Sequence, residues 1–493
     1  MRRPAERNEK KSTQISSGSA VSRCAAVLLA ALVAVSTAAC GGQSASGTKT
    51  DARRADAGEG SSTAEAVPAG QQEGASAAGT ASAEQTAQPA EDIEIPEEPY
   101  VRDDGGVSMN VFAMDTYMTL LAYGESSDGD EDGTAQAERA VRAAAEEIHS
   151  LDEMLSTGNP DSEISKLNAA GGGSASDVVI KLIRRSQQLR RETGGLFEIA
   201  IYPVMKLWGF PTQDYHVPEK EDLDKALKLA DASAITIGQA GTEAKDAKKA
   251  VSADTAGTAA GTAAAETGAA GRAGTAAGTK AEASGAAVSA VPAAGAEAAA
   301  SGASKGNDTT VSFGIPGMEI DLGGIAKGYT SSRVMEIFKE QGIKHGLVSL
   351  GGNVQALGSK ADGKPWRVAI QNPESDLDYL GILDIEGKCV ITSGGYERFF
   401  IEDGVRYHHI IDPRTGYPAD SGLLSATIIS EDGTLADGLS TSLFIMGKEE
   451  AEKYWRAHPG TFDYILEDTD GTLYVTKGAA GLLTTEAKTV VVQ

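Results

Sequence analysis

The chain has 493 residues and carries 70 acidic against 44 basic side chains, a formal net charge of −26. A surface that acidic argues against nucleic-acid binding and against polybasic contact with anionic lipid, although part of the charge sits in the low-complexity arms rather than in the folded part. Its cysteines are Cys24, Cys40 and Cys389; the first two fall outside the folded part, which is left with one thiol and no internal disulfide.

Residues 1–39 read as a secretory signal. Arg2, Arg3, Lys10, Lys11 and Arg23 form a basic leader, and 24–39 is an apolar stretch ending in small residues, too short for a membrane span. Cys40, in T-A-A-C-G-G, resembles a bacterial lipoprotein processing site whose thiol is lipidated, with Thr37 where leucine is usual. Residues 40–100 are dominated by Ala, Gly, Ser, Thr, Gln and charge, and predict a lipid-anchored disordered linker.

Next, 107–113 and 116–123 alternate apolar and polar residues and predict two strands joined at Met114-Asp115. A helix is predicted over 135–155, with Val141, Ile148, Leu151 and Leu155 on its buried face. Another covers 177–191, with Val179, Leu182, Ile183 and Leu189 on one side and Ser176 or Asp177 as N-cap; a third covers 221–229. The run 238–307, rich in Ala, Gly and Thr, is set aside as a low-complexity insertion looping from a hairpin between 234–237 and 311–313. Helices follow over 330–341, 435–446 and 449–457. Strands are predicted over 347–350, 366–371, 380–385, 388–392, 407–411, 423–430, 464–467 and 473–476. Short turns between strands, with interspersed helices, predict an α+β fold with largely antiparallel sheets. The folded part, 101–237 and 308–493, is about 320 residues, one large domain or two packed lobes.

Four stretches carry candidate chemistry. In D-L-G-G-I-A-K-G-Y (321–329), bare backbone at Gly323, Gly324 and Gly328 can approach a bulky anion, and Lys327 adds positive charge. The apolar approach and the helical pattern of Val334, Ile337 and Phe338 place it at a helix N-terminus, where N–H groups favour phosphate. It does not fit a Walker A loop and reads either as a phosphate site of another kind or as a plain glycine turn. In L-A-D-G-L-S-T, Asp437 and Thr441 are four apart and share a helix face. They are either hard oxygen ligands suited to magnesium or an N-capping acid with a core-facing threonine. In Y-H-H-I-I-D-P-R-T-G-Y-P, His408 and His409 point opposite ways along a strand. One can shuttle a proton or hold a phosphate beside the Asp412–Gly416 turn, or the stretch is a structural turn with a hydrogen-bonded histidine. In 193–210, aromatics and glycines suit either a flat heterocycle or ordinary core packing. Cys389 reads as a buried strand residue.

Taken in order, M-D-T (114–116), 155–168, T-G-G-L-F, L-W-G-F, D-L-G-G-I-A-K-G-Y, L-G-G-N (350–353), T-S-G-G-Y-E-R-F-F (392–400), H-I-I-D-P-R-T-G-Y-P (409–418) and L-A-D-G-L-S-T resemble the ApbE-like FAD:protein FMN transferases. The resemblance covers 107–477 apart from the insertion. It implies an extracytoplasmic enzyme, lipid-anchored to the bacterial membrane through Cys40. Such an enzyme splits FAD, releases AMP and joins FMN through its phosphate to a Thr or Ser of a partner redox protein, with Mg2+. It further implies metal ligation by the Ala326 carbonyl, Asp437 and Thr441. Flavin and diphosphate contacts fall on Met114, Tyr117, Ser156, Thr157, Glu163, Asp321, Gly324 and Lys327. His409 matches the histidine implicated in transfer; the acceptor hydroxyl still needs a base, for which His409 is the first candidate and Asp437 or a metal-bound water the second. The sequence departs from the family pattern at Asp115 and Gly438, where glycine and alanine are frequent, and at Gly395, where aspartate is. The same site with water as acceptor would make a Mg-dependent FAD pyrophosphatase; without chemistry it would be an FAD-binding lipoprotein.

Overall fold

The computed structural model describes residues 97–127, 132–239 and 309–493. The leader, Cys40, the tether up to 96 and the insertion over 240–307 lie outside these residues.

In chain order, β1 (Tyr100–Val101), β2 (Val107–Ala113) and β3 (Thr116–Tyr123) precede α1 (Thr134–Leu155), α2 (Glu163–Ala170), β4 (Gly172–Ser174) and α3 (Asp177–Glu192). Then come α4 (Tyr202–Leu207), α5 (Lys220–Leu227), β5 (Ile235–Gln239), β6 (Thr309–Phe313) and α6 (Gly323–Glu340). The strands β7 (His345–Leu350), β8 (Asn353–Leu357), β9 (Trp366–Asn372), β10 (Ser375–Ile385), β11 (Cys389–Gly394), β12 (Phe399–Glu402), β13 (Val405–His408) and β14 (Leu423–Ser430) follow. The chain ends through α7 (Gly433–Ala457), β15 (Asp463–Asp468), β16 (Leu473–Thr476), α8 (Lys477–Ala480), β17 (Leu483–Thr484) and β18 (Thr489–Val492).

The described residues form two units. The first comprises residues up to Glu147, Arg333–Val390 and Lys477–Lys488. Its main sheet runs β1-β2-β3-β7-β8 with the start of β11 at the end, each strand antiparallel to its neighbour. A smaller sheet runs β17-β10-β9. Alternation does the work expected of it: Met118, Leu120, Val348 and Leu350 are wholly buried. Cys389 is buried on β11, as a strand residue. The β2–β3 turn has Met114 at φ 50° and Asp115 at φ 58°. A two-residue hairpin loop of this kind favours glycine or asparagine, so both side chains are held in a left-handed conformation that costs them energy.

The second unit comprises Ile148–Ser332, Ile391–Thr476 and Thr489–Gln493. Its main sheet takes the end of β11, then β14-β15-β16-β18; β14, β15 and β16 are antiparallel, and β18 runs parallel to β16. Two small sheets, β4-β6-β5 and the hairpin β12-β13, complete it. Gly238 and Gln239, assigned to the insertion from their composition, still belong to β5, because they pair with Thr310 and Thr309. Ser176 caps α3, its side chain accepting from the Val179 N–H. The helices predicted over 435–446 and 449–457 form one run, α7, broken where Gly447 adopts φ 73°. The strand predicted over 407–411 stops at His408, after which Ile411 makes an isolated bridge to Pro418.

Candidate active site

The helix predicted from residue 330 begins seven residues earlier, at Gly323, so the glycine-rich segment forms its first turns. Asp321 sets the start. Its N–H donates to the Ile199 carbonyl at 2.8 Å, and its Oδ1 accepts the Gly323 N–H at 2.6 Å, satisfying an amide that the helix leaves unpaired. Asn168, at the end of α2, brackets the approach: Nδ2 donates to the Ile320 carbonyl at 2.9 Å and Oδ1 accepts the Ile320 N–H at 2.8 Å. Gly323 and Gly324 are exposed, as an anion-binding helix N-terminus requires.

Gly328 corrects the sequence reading. Its open side faces protein, not ligand: a Cβ there would lie 2.1 Å from the Gly433 carbonyl oxygen and 2.5 Å from Asp437 Cβ. The missing side chain lets α6 and α7 touch backbone to backbone. At that contact the Gly328 N–H donates to Asp437 Oδ2 at 2.8 Å.

Asp437 is not the cap of α7; Asp432 is, accepting the Leu435 N–H at 3.0 Å. Asp437 lies further in and is 6% exposed. Thr441, one turn on, has its hydroxyl 3.3 Å from Ser393 Oγ, which also bonds Ser440 Oγ at 2.8 Å. Ser440 Oγ in turn donates to the Asp437 carbonyl at 2.8 Å. The Ala326 carbonyl, two residues before Gly328 on α6, accepts from Thr330 Oγ1 at 2.8 Å. The Asp437 carboxylate meets α6 at Gly328, the Thr441 hydroxyl lies one turn further along α7, and the Ala326 carbonyl lies two residues before Gly328 on α6. Among the described residues no group of three or more His, Cys, Asp or Glu could hold a metal. The donors are hard oxygens of the kind magnesium accepts in small number, so the residues fit that ion.

Phe197 packs beside both helices. Its ring is 3.4 Å from where a Cβ on Gly324, or on Gly438, would sit. The glycine at 438 also has a reason: a Cβ would meet Leu189 Cδ1 at 2.5 Å. The next residue, Glu198, is a buried anchor whose Oε1 accepts the N–H groups of Ala200 and Ala232 at 2.8 and 3.0 Å, while Oε2 pairs with Arg190.

The Arg398 carbonyl accepts the His409 N–H at 3.0 Å and lies 3.2 Å from His409 Nδ1. A carbonyl can only accept, so Nδ1 carries the proton and Nε2 keeps its lone pair. Desolvation pushes the His409 pKa down to about 3, assisted by the charges of Arg398 and Lys327; the ring is neutral at pH 7. Desolvation by surrounding protein pushes the Glu397 carboxyl above its usual range although its side chain still touches solvent; Asp437 adds to this and Lys327 and Arg398 oppose it. His408 turns elsewhere: its ring lies 5.5 Å from that of Phe444, and Nε2 lies 3.1 Å from the Ala419 carbonyl. Its Cδ2 would be 2.8 Å from a Cβ on Gly395, so the glycine makes room for His408. In the turn that follows, Asp412 accepts from the Arg414 backbone N–H and from its guanidinium, through Nε and Nη2.

The other candidates are placed less directly. Ser156 Oγ accepts the Gly158 and Asn159 N–H groups, each at 3.2 Å, and the carbonyls of Ser156 and Thr157 accept from Ser165 Oγ. Glu163 Oε1 accepts the Ser176 N–H at 2.6 Å and borders a depression of about 400 Å³. Met114 and Tyr117 belong to the first unit, where the Tyr117 ring packs edge-on to Phe112 at 4.9 Å. Trp208 and Phe210 are buried in an aromatic cluster with Tyr215, Phe400, Tyr407 and Tyr417; they pack the core. Asn168, Phe197, Ser393 and Glu397 lay inside the quoted motifs but were not singled out. Their roles depend on partners 40 or more residues away, or on a neighbour's missing Cβ, and neither leaves a local sequence signal.

Comparison with known proteins gives a consistent result. The ApbE family profile matches residues 114–289 and 286–466. The chain is 30% identical over 337 residues to an FAD:protein FMN transferase of Treponema pallidum, covering 65% of this chain and 76% of that one. It is 29% identical over 309 residues to one of Klebsiella pneumoniae, covering 62% and 74%. Among solved structures it resembles the ApbE protein of Thermotoga maritima, with a TM-score of 0.58 at 24% identity over 76% of this chain and 99% of that one. It also resembles the apo flavinyl transferase ApbE of Pseudomonas stutzeri, with a TM-score of 0.53 at 22% identity over 79% and 95%.

Proposed function

The chain belongs to the ApbE family, and from that membership we propose that it is an FAD:protein FMN transferase acting with Mg2+. FAD is the substrate; a Thr or Ser hydroxyl on a partner redox protein attacks the FMN-side phosphorus. The new O–P bond forms as the bond to AMP breaks, and AMP leaves.

The observation that carries the reading is the α6–α7 contact, where buried Asp437 accepts the Gly328 N–H with Thr441 one turn beyond. Asp437, Thr441 and the Ala326 carbonyl would hold the magnesium, which when bound supplies charge neutralisation on the diphosphate. Asp321 fixes the start of α6, so that the amides of its first turn and Lys327 present positive charge to the phosphates. His409, with Nδ1 turned to the Arg398 carbonyl, offers Nε2 to the hydroxyl proton, and Asp437 or a metal-bound water is the second candidate. Ser156, Thr157 and Glu163 complete the flavin contacts of this unit in this reading. The leader composition and Cys40 support a lipid-anchored enzyme outside the cytoplasm, whose linker lets it reach a membrane-bound acceptor.

The test is incubation with FAD, Mg2+ and a flavin-free redox domain exposing a Ser/Thr loop. Transfer gives protein-bound FMN that survives denaturation, with one AMP per label. AMP with only free FMN would make the enzyme a pyrophosphatase, and intact FAD would make it a flavin carrier.

A further inference from the structure

Serines and threonines inside helices commonly donate to the carbonyl one turn back. Thr330 on α6 does so, its Oγ1 donating to the Ala326 carbonyl at 2.8 Å, and Ser442 on α7 does so to the Gly438 carbonyl at 2.7 Å. Thr441 departs from this habit. The carbonyl one turn back from it is that of Asp437, and Ser440 Oγ donates there at 2.8 Å. The Thr441 hydroxyl leans off its own helix instead, toward Ser393 Oγ on β11 at 3.3 Å. Ser393 Oγ also lies 2.8 Å from Ser440 Oγ. Ser440 is wholly buried, whereas Ser393 and Thr441 are half-buried.

The order of the protons along these oxygens follows from counting. A hydroxyl has one proton to give and two lone pairs to offer. The Asp437 carbonyl can only accept, so Ser440 gives its proton there. Ser440 then has only lone pairs left for Ser393, so Ser393 donates to Ser440. Ser393 in turn has only lone pairs left for Thr441, so Thr441 donates to Ser393. The three hydroxyls therefore form a one-way relay that ends on the main chain of Asp437. It turns the Thr441 proton toward β11 and leaves the Thr441 lone pairs facing away from Ser393. A hard cation is held by oxygen lone pairs, and a hydroxyl proton aimed at it repels it.

We propose that Ser393 and Ser440 are positioning residues for the cation, holding the Thr441 proton aside so that its oxygen is free to ligate. Neither serine is a ligand in this arrangement; both act through Thr441. The proposal rests on the reading that Asp437 and Thr441 hold Mg2+. It adds the reason that a threonine, whose hydroxyl would ordinarily serve its own helix, is available as a ligand here. Groups that orient a metal ligand from behind typically change metal affinity by about 10–100-fold.

The experiment measures Mn2+ uptake by the protein without FAD, read from the electron paramagnetic resonance signal of the free ion, so that turnover plays no part. Ser393→Ala and Ser440→Ala should each weaken Mn2+ binding by about tenfold or more, with circular dichroism verifying the fold. Ser393→Thr, which keeps the hydroxyl, should bind Mn2+ as wild type does. In a Thr441→Val background, itself weakened, Ser393→Ala should cause no further loss, because the relay then has no hydroxyl to orient. Wild-type affinity in Ser393→Ala, beside a weakened Thr441→Val, overturns the relay and leaves the metal reading intact. An equal loss from Ser393→Ala with and without the Thr441 hydroxyl also overturns the relay, since the serine would then act on its own. Wild-type protein that takes up no Mn2+, or Thr441→Val that binds it as tightly as wild type, overturns the metal reading, and the relay with it.

Discussion

Gly328 and Asp437 are 109 residues apart in sequence and joined by a 2.8 Å hydrogen bond from backbone amide to carboxylate Oδ2. The bond exists because neither helix has a side chain between them. Adding one methyl group at Gly328 would drive it to 2.1 Å from the Gly433 carbonyl oxygen, which cannot rotate away. Gly328→Ala should destabilise the protein by about 1–3 kcal/mol in denaturant unfolding and abolish AMP release. Gly438→Ala should cost less, since the atom it meets is the tip of Leu189. Equal costs for the two would show that the helices are not in backbone contact.

Asp437→Asn preserves shape and an acceptor for the Gly328 N–H while removing charge. FAD affinity, read by flavin fluorescence, should change little. AMP release should fall by about 10²–10³-fold, the scale of losing one electrostatic stabiliser of a transition state. Unchanged turnover would remove Asp437 from the site.

The histidines give a signed pH prediction. His408 and His409 both have pKa values below their ordinary 6.5, His409 at about 3, chiefly by desolvation. The unfolded chain therefore binds protons before the folded one. This contribution to stability is complete above pH 6.5 and is lost as pH falls toward about 3. Glu397, raised from 4.5, acts in the opposite sense, its contribution lost as pH rises through its folded value. Unfolding midpoints between pH 7 and 4 should fall less steeply in His409→Gln than in wild type. An identical slope would show that His409 protonates freely when folded.

Met114 at φ 50° holds a conformation that suits glycine better. Met114→Gly should raise stability by up to about 1 kcal/mol and weaken FAD binding, measured by titration. Such opposed effects mark a residue kept for contact at the expense of backbone comfort. A gain in stability with unaltered FAD affinity would make Met114 a turn residue and nothing more.

The elements with strong periodicity were legible in the sequence. β2 and β3 fall where their alternation places them, β14 and β16 match their expected bounds, and α1 and α3 differ from expectation by one residue at an end. The start of α6 was not legible, because glycine's low helix propensity hid a helix imposed by the Asp321 cap and by packing against α7. α2 and α4 are short and lie inside motif-rich stretches, so their period never develops. The pairing of Asp437 with Thr441 on one helix face followed from their spacing. Their link to α6 did not, because it rests on an absent Cβ at Gly328. The aromatics of 193–210 divide in a way composition could not show: Phe197 packs beside α6 and α7, whereas Trp208 and Phe210 fill the core.

Gln239 and Thr309 are cross-strand partners, so the chain departs from β5 and rejoins β6 at adjoining positions. For the surrounding scaffold, residues 240–308 amount to a detour with a common start and finish. Trimming them to a tight reverse turn should leave the architecture standing, and a foreign module could be spliced there. Nicking the backbone between the two strands would yield fragments primed to reassemble, a route to a switchable, two-piece flavin-labelling tool.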